Sequence, residues 1–130
     1  ITEGITFSSA PAATTDGTGA EFTIAALSFL NVLPGDQMIL TFKGIGILDD
    51  IGADRIECFL REDNTGAGGV LMDYTVFRDI AAGTIVLHSV YNVTSPLAFK
   101  AFHVGFRSAF GPTNPVTITN KILTGLLRRR

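Results

Sequence analysis

Leu33-Pro34-Gly35-Asp36-Gln37-Met38-Ile39-Leu40-Thr41-Phe42-Lys43 decides the fold class. Proline before glycine is the central pair of a type II turn, because proline fixes φ at the first position and glycine accepts a positive φ at the second. The residues after the turn alternate. Met38, Leu40 and Phe42 fall on one face of an extended strand, while Gln37, Thr41 and Lys43 fall on the other together with Ile39. A reverse turn feeding a strand with one dry and one wet side belongs to an antiparallel sheet that packs one face on a core.

Outward from this stretch, β-branched and aromatic residues dominate short runs, each ended by Gly, Pro, Asn or Asp, which is the signature of strands. The expected strands are Ile5 to Phe7, Phe22 to Leu30, Gln37 to Gly44, Arg55 to Arg61, Val70 to Phe77, Thr84 to Val93, Ala98 to Arg107 and Val116 to Ile122. Helix caps and sustained helical periodicity are scarce, and there is no internal repeat. The pattern predicts an all-β antiparallel sandwich, jelly-roll-like, of about eight strands. The small, polar run Ser8 to Gly19 has little to bury, so residues 1–20 are expected to form an N-terminal arm or loop and residues 21–130 a single β-sandwich domain. Asp63 to Gly69 and Gly111 to Pro115 read as loops, and Asp49 to Asp54 as a loop or one helical turn.

Some strands carry apolar residues on both parities. In Thr84 to Tyr91, Ile85 and Leu87 alternate with Val86 and Val90; in Ala98 to Arg107, Phe102, Val104 and Phe106 alternate with Phe99, Ala101 and His103. Two-faced strands in an antiparallel protein mean that something packs on the second face. Composition agrees: only 17% of the 130 residues are charged, against roughly 25% in an ordinary soluble domain, and mean hydropathy is +0.36. A domain of this size exposes much of its surface, so a shortage of charge predicts cover by another subunit.

A formal net charge of −2 argues against a general nucleic-acid binder, which needs a basic face to neutralise phosphates. The run Arg128-Arg129-Arg130 reads as a solvated tail ahead of the alternative, an electrostatic anchor for a partner. With one cysteine, the chain can form no internal disulfide or cysteine cluster, and Cys58, inside the alternation Ile56, Cys58, Leu60, is expected to be a buried structural thiol. No apolar run is long enough to span a membrane. The chain starts at Ile1 rather than methionine, which leaves a leader ahead of it, and so its compartment, open.

The residues that could carry chemistry are few. His88 and His103 each sit in an alternating strand, where a histidine is ordinarily a surface or half-buried residue. Asp49, Asp50 and Asp54, or Asp63 with Asn64, have oxygens suited to a hard cation but not the spacing of a Ca²⁺ loop, and acidic loops are commonly just solvated. The glycines of Gly44-Ile45-Gly46 and Gly66 to Gly69 lack the context of a phosphate cradle, and Asn92-Val93-Thr94 matches a glycosylation sequon that arises often by chance. No catalytic, cofactor-binding or metal site is therefore expected, and no enzyme. For a sugar site the aromatic pool is thin: there is no Trp, and Tyr74 and Tyr91 are the available platforms.

The segment Phe29-Leu30-Asn31-Val32-Leu33-Pro34-Gly35-Asp36-Gln37-Met38-Ile39-Leu40 resembles pieces of small jelly-roll domains, including viral structural proteins and trimeric C1q- or tumour-necrosis-factor-like heads. Length, strand count, small-residue arm and low charge likewise resemble a phage capsid decoration, fibre or spike subunit. The resemblance implies a structural protein of the virion, a homo-oligomer with a trimer among its forms. Its copies would associate through apolar strand faces and exchange of the N-terminal arm, with other virion structural proteins as further partners and without membrane or direct nucleic-acid contact. The alternative is a carbohydrate- or receptor-binding module of an extracellular or cell-surface protein, recognising its ligand through loops at one end of the sandwich.

Overall fold

In a computed structural model of the chain, the described residues are 3–10, 13–15, 21–49, 54–62, 69–108 and 116–129, with the backbone alone described for 3–10, 13–15 and 22. Among the described residues all of the regular structure is strand: β1 (Glu3–Ala10), β2 (Ala13–Thr15), β3 (Phe22–Val32), β4 (Gln37–Leu48), β5 (Arg55–Glu62), β6 (Val70–Arg78), β7 (Ala82–Asn92), β8 (Leu97–Ser108) and β9 (Val116–Arg128). Every expected strand is present, most of them longer than their apolar runs suggested. The expected loop at 111–115 and most of those at 49–54 and 63–69 lie outside the described residues.

The strands form two antiparallel sheets. The front sheet has five strands in the order β1-β9-β4-β7, with β2 also on β9; the back sheet has four in the order β3-β8-β5-β6. Apart from β2, the pairs β1 with β9, β3 with β8, β4 with β7 and β5 with β6 match the first strand to the last and work inward. The chain is one long antiparallel ribbon with its tip between β5 and β6, wound so that it contributes strands alternately to the two sheets. That is a jelly roll. Within the stretch expected as an arm, β1 and β2 run along β9 in a single register, from Glu3 opposite Arg128 through Ala10 opposite Lys121 to Thr15 opposite Val116.

The core lies between the sheets. Met38, Leu40 and Phe42 are fully buried, as the alternation requires, and so are Leu87, Leu123, Ile118, Phe102, Val104, Phe106, Ile56, Cys58 and Leu60. Phe102 receives Phe29 and Tyr91 edge-on at centroid distances of 6.1 and 5.7 Å. Parity changes mark the irregular points. Ile24 and Ala25 are both buried because the β3–β8 register shifts between Thr23 and Ala25, a bulge that sends consecutive side chains inward. In β9, Asn120 takes φ 51°, a left-handed conformation asparagine tolerates, and the inward residues switch from Ile118 to Lys121 and Leu123.

The turn before β4 is as its residues dictate. Gly35 has φ 93° and Asp36 N–H donates to Leu33 O at 3.0 Å. The Asp36 carboxylate accepts from Leu33 N at 3.0 Å and from Arg129 Nη1 at 3.3 Å. The arginine run is thus no solvated tail as far as it is described: Arg128 ends β9, and Arg129 is drawn back onto the turn. Arg130 lies outside the described residues.

Candidate interaction surface

Each sheet has an outer face, and the two are built differently. On the back sheet, β5 sends Arg55, Glu57, Phe59 and Arg61 outward, opposite Arg107, Gly105 and His103 of β8 and Val76 and Tyr74 of β6. Glu57 is buried, with a side chain 7% exposed; it accepts from Arg107 Nε and Nη2 at 3.1 and 2.9 Å and from Arg55 Nη2 at 3.3 Å. Phe59 lies under two guanidiniums, Arg61 at 4.9 Å and Arg107 at 5.3 Å from its ring centre, with the Tyr74 ring tilted against it at 5.2 Å. Arg61 donates to both Glu21 oxygens at 3.0 and 3.1 Å and to Gly69 O at 3.0 Å. Glu21 lies over Gly105, where an added Cβ would come within 2.7 Å of its carboxylate, so only glycine leaves room. Burial, reinforced by the Glu57 carboxylate, raises the Tyr74 hydroxyl above its ordinary range. Charge-assisted bonds and cation–π contacts cover the part of this face around β5, while at its β3–β8 margin the paired Leu30 and Phe99 stay exposed.

The front sheet has no such layer. Its outward residues form cross-strand rows: Val90, Ile39 and Leu126; His88, Thr41 and Thr124; Val86, Lys43 and Ile122; Thr84, Ile45 and Thr119. Val86, Val90, Ile122 and Ile47 are exposed large hydrophobics. Among the described outward side chains, Lys43 and Arg128 are the cations, and there is no carboxylate. The three strands of these rows, about 4.8 Å apart and about 3.4 Å per residue, over the 11 residues of β7, give a footprint of roughly 540 Å², against the ~800 Å² per partner of a standard stable interface. Such a patch marks an interaction site.

The residues singled out in the sequence scatter. His88 lies on the front face, its Nδ1 hydrogen-bonded to Thr41 Oγ1 at 3.1 Å and its backbone N–H donating to Asp73 Oδ2 at 2.8 Å, which satisfies one amide of the β7 edge. His103 lies on the back face beside Arg61, so the two histidines are on opposite sides of the sandwich. Asp49 is exposed and Asp54 buried, while Asp50, Asp63 and Asn64 lie outside the described residues. No group of three or more His, Cys, Asp or Glu able to hold a metal occurs among the described residues. Cys58 is buried and its thiol is pushed up to about 12, so it is no nucleophile. Tyr91 is half-buried with Lys100 Nζ 4.5 Å over its ring, which leaves Tyr74, 43% exposed, as the accessible phenol. At the turn end of the sandwich, an open groove of about 380 Å³ between Asn31, Leu33, Pro96 and Leu97 carries no ionisable side chain.

Sequence reasoning missed the back-face network and the Lys100–Glu62 pair, 2.7 Å apart at the core's margin. The one available signal was the same-parity order Arg55, Glu57, Phe59, Arg61, which hints at a charged, packed outer face but not at its partners.

No family model matches the chain, nor does any curated protein sequence. Solved structures with the same fold do. The C-terminal domain of EclA, described as a sugar-binding protein, aligns with a TM-score of 0.52 at 16% identity, over 88% of this chain and 78% of that one. A structure of infectious bursal disease virus, Gx strain, aligns with a TM-score of 0.51 at 5% identity, over 98% of this chain but 32% of that one. At these identities the likeness is one of fold.

Proposed function

We propose that the chain is a non-enzymatic assembly subunit: a jelly roll that packs against copies of itself through the outer face of the front sheet, as a capsid decoration, fibre or spike component of a virus particle. The observation that carries this reading is the contrast in cover. The chain spends many of its few charges on the back face and leaves the front face apolar around Lys43. Burying that face gains hydrophobic free energy without desolvating more than one central ammonium. The virion setting is supported by fold likeness to the bursal disease virus structure. Light scattering of the purified chain over a range of concentrations tests the reading: a stable oligomer is expected, and a strict monomer at high concentration with no partner chain in its native setting overturns it.

A second reading is favoured by one feature, the exposed Tyr74 ring set beside Phe59 and the Arg107 guanidinium. An aromatic face next to fixed polar groups is what a sugar-binding module presents, and the EclA domain gives the fold precedent. On this reading the chain binds glycans on an array and Tyr74→Ala abolishes the signal; no glycan signal from either protein removes it.

A further inference from the structure

Two guanidiniums lie over the Phe59 ring, and they are held differently. Arg61 donates to both Glu21 oxygens and to Gly69 O, and its side chain is 14% exposed. Arg107 is fixed at one edge and open at the other. Its Nε and Nη2 both donate to Glu57 Oε2, while the side chain as a whole is 42% exposed. Among the described residues Glu57 is the carboxylate that Arg107 meets, and its Nη1 has no acceptor. Glu57 is shared as well, its Oε1 accepting from Arg55 Nη2. One carboxylate divided between two guanidiniums neutralises the outer one only in part.

The open edge stands beside an aromatic platform. The exposed Tyr74 ring and the Arg107 guanidinium flank Phe59, at 5.2 and 5.3 Å from its ring centre. Tyr74 is opposite Phe59 across β6 and β5, and Arg107 is opposite Glu57, two residues along β5. Platform and guanidinium are thus separated by one buried ring, within the length of a small oligosaccharide. Burial, and after it the Glu57 carboxylate, raises the Tyr74 hydroxyl above its ordinary range, so the phenol adds no negative charge at neutral pH. Glu57 itself lies deeper than Arg107, so a ligand arriving from solvent meets the cation of the pair. The two bonds to Glu57 also hold the guanidinium in place, so a ligand at Nη1 does not have to order a free arginine first.

We infer that this site takes an anionic saccharide, one bearing a carboxylate or a sulfate, with a sugar ring against Tyr74 and the acidic group on Arg107 Nη1. This rests on the second reading, in which Tyr74 is a sugar platform, and adds the charge of the ligand. An acidic group accepts a charge-assisted bond from the guanidinium, roughly twice as strong as the bond a sugar hydroxyl would accept. With Arg107 partly in water the gain over the neutral sugar is expected to be about tenfold in affinity, and to shrink as salt is raised.

The test is a glycan array that carries each neutral glycan beside its sialylated and its sulfated form, probed with the unaltered chain, Tyr74→Ala and Arg107→Gln after each has shown a cooperative unfolding transition. The unaltered chain is expected to favour acidic forms over their neutral parents by about tenfold; preference for the sialylated set assigns a carboxylate, and for the sulfated set a sulfate. Tyr74→Ala should lose the acidic signal, and Arg107→Gln should lower it at least about tenfold. If Arg107→Gln does not fold, Arg107→Lys is read in its place, since it keeps a cation on Glu57 without a second donor edge and should also lose the preference. Equal binding of neutral and acidic forms overturns the inference and leaves the sugar reading standing; no glycan signal at all removes both. An acidic preference that survives in either folded variant is read elsewhere on the chain and overturns the inference too.

Discussion

The two outer faces arise from strands whose outward residues differ. β5 turns Arg55, Glu57, Phe59 and Arg61 outward under a net of ion pairs, while β7 turns Thr84, Val86, His88 and Val90 outward and stays bare. The neighbouring strands extend that difference. β5 has Arg107 of β8 beside Glu57 and Glu21 within reach of Arg61. β7 has Ile39, Thr41 and Lys43 of β4. A strand's second face is thus decided by its own outward residues together with those of its register partners.

The largest effect expected is on the side common to both sheets. Phe42→Ala removes a fully buried ring from the core and should cost about 3–5 kcal/mol by urea unfolding. The back face comes next. Glu57→Ala leaves Arg55 and Arg107 without their shared carboxylate; with Glu57 buried but Arg107 partly in water, a loss of about 1.5–3 kcal/mol is expected, and an unchanged midpoint would mean that the network is ornamental to stability.

The front face should respond in the opposite manner, with small effects on folding. Val86→Glu with Val90→Glu alters exposed positions, one of them opposite Lys43, and should cost the protomer fold itself about 1 kcal/mol or less, beyond whatever stability association adds. Lys43→Ala should be smallest, within about 0.5 kcal/mol, and should leave assembly at least as strong, since it removes the one ammonium from the middle of the apolar rows. If Lys43→Ala proves as damaging as Phe42→Ala, either the register of β4 is wrong or Lys43 itself makes an interface contact.

What was legible in the sequence was local. The Pro34-Gly35 turn, the inward face of Met38, Leu40 and Phe42, the burial of Cys58 and the eight strand positions all follow from neighbours in the chain. What was not legible depends on residues far apart. Glu57 is 50 positions from Arg107, and Glu21 is 40 from Arg61, so nothing in either neighbourhood announces the pair. The shift of parity in β9 was half-written, since Asn120 is a residue that tolerates positive φ, but only the ladder with β4 shows that it turns Lys121 inward. The apolar front face was foreseen in β7 from Val86 and Val90, whereas its extension across Ile39, Ile122 and Leu126 required the sheet order.

The central claim, that the front face is where copies meet, is tested most directly by the native mass of Val86→Glu with Val90→Glu beside that of the unaltered chain, by light scattering at matched concentration. The account predicts an oligomer for the unaltered chain and a folded monomer with a cooperative unfolding transition for the variant. A variant that keeps the oligomeric mass, or an unaltered chain that is monomeric throughout, contradicts it.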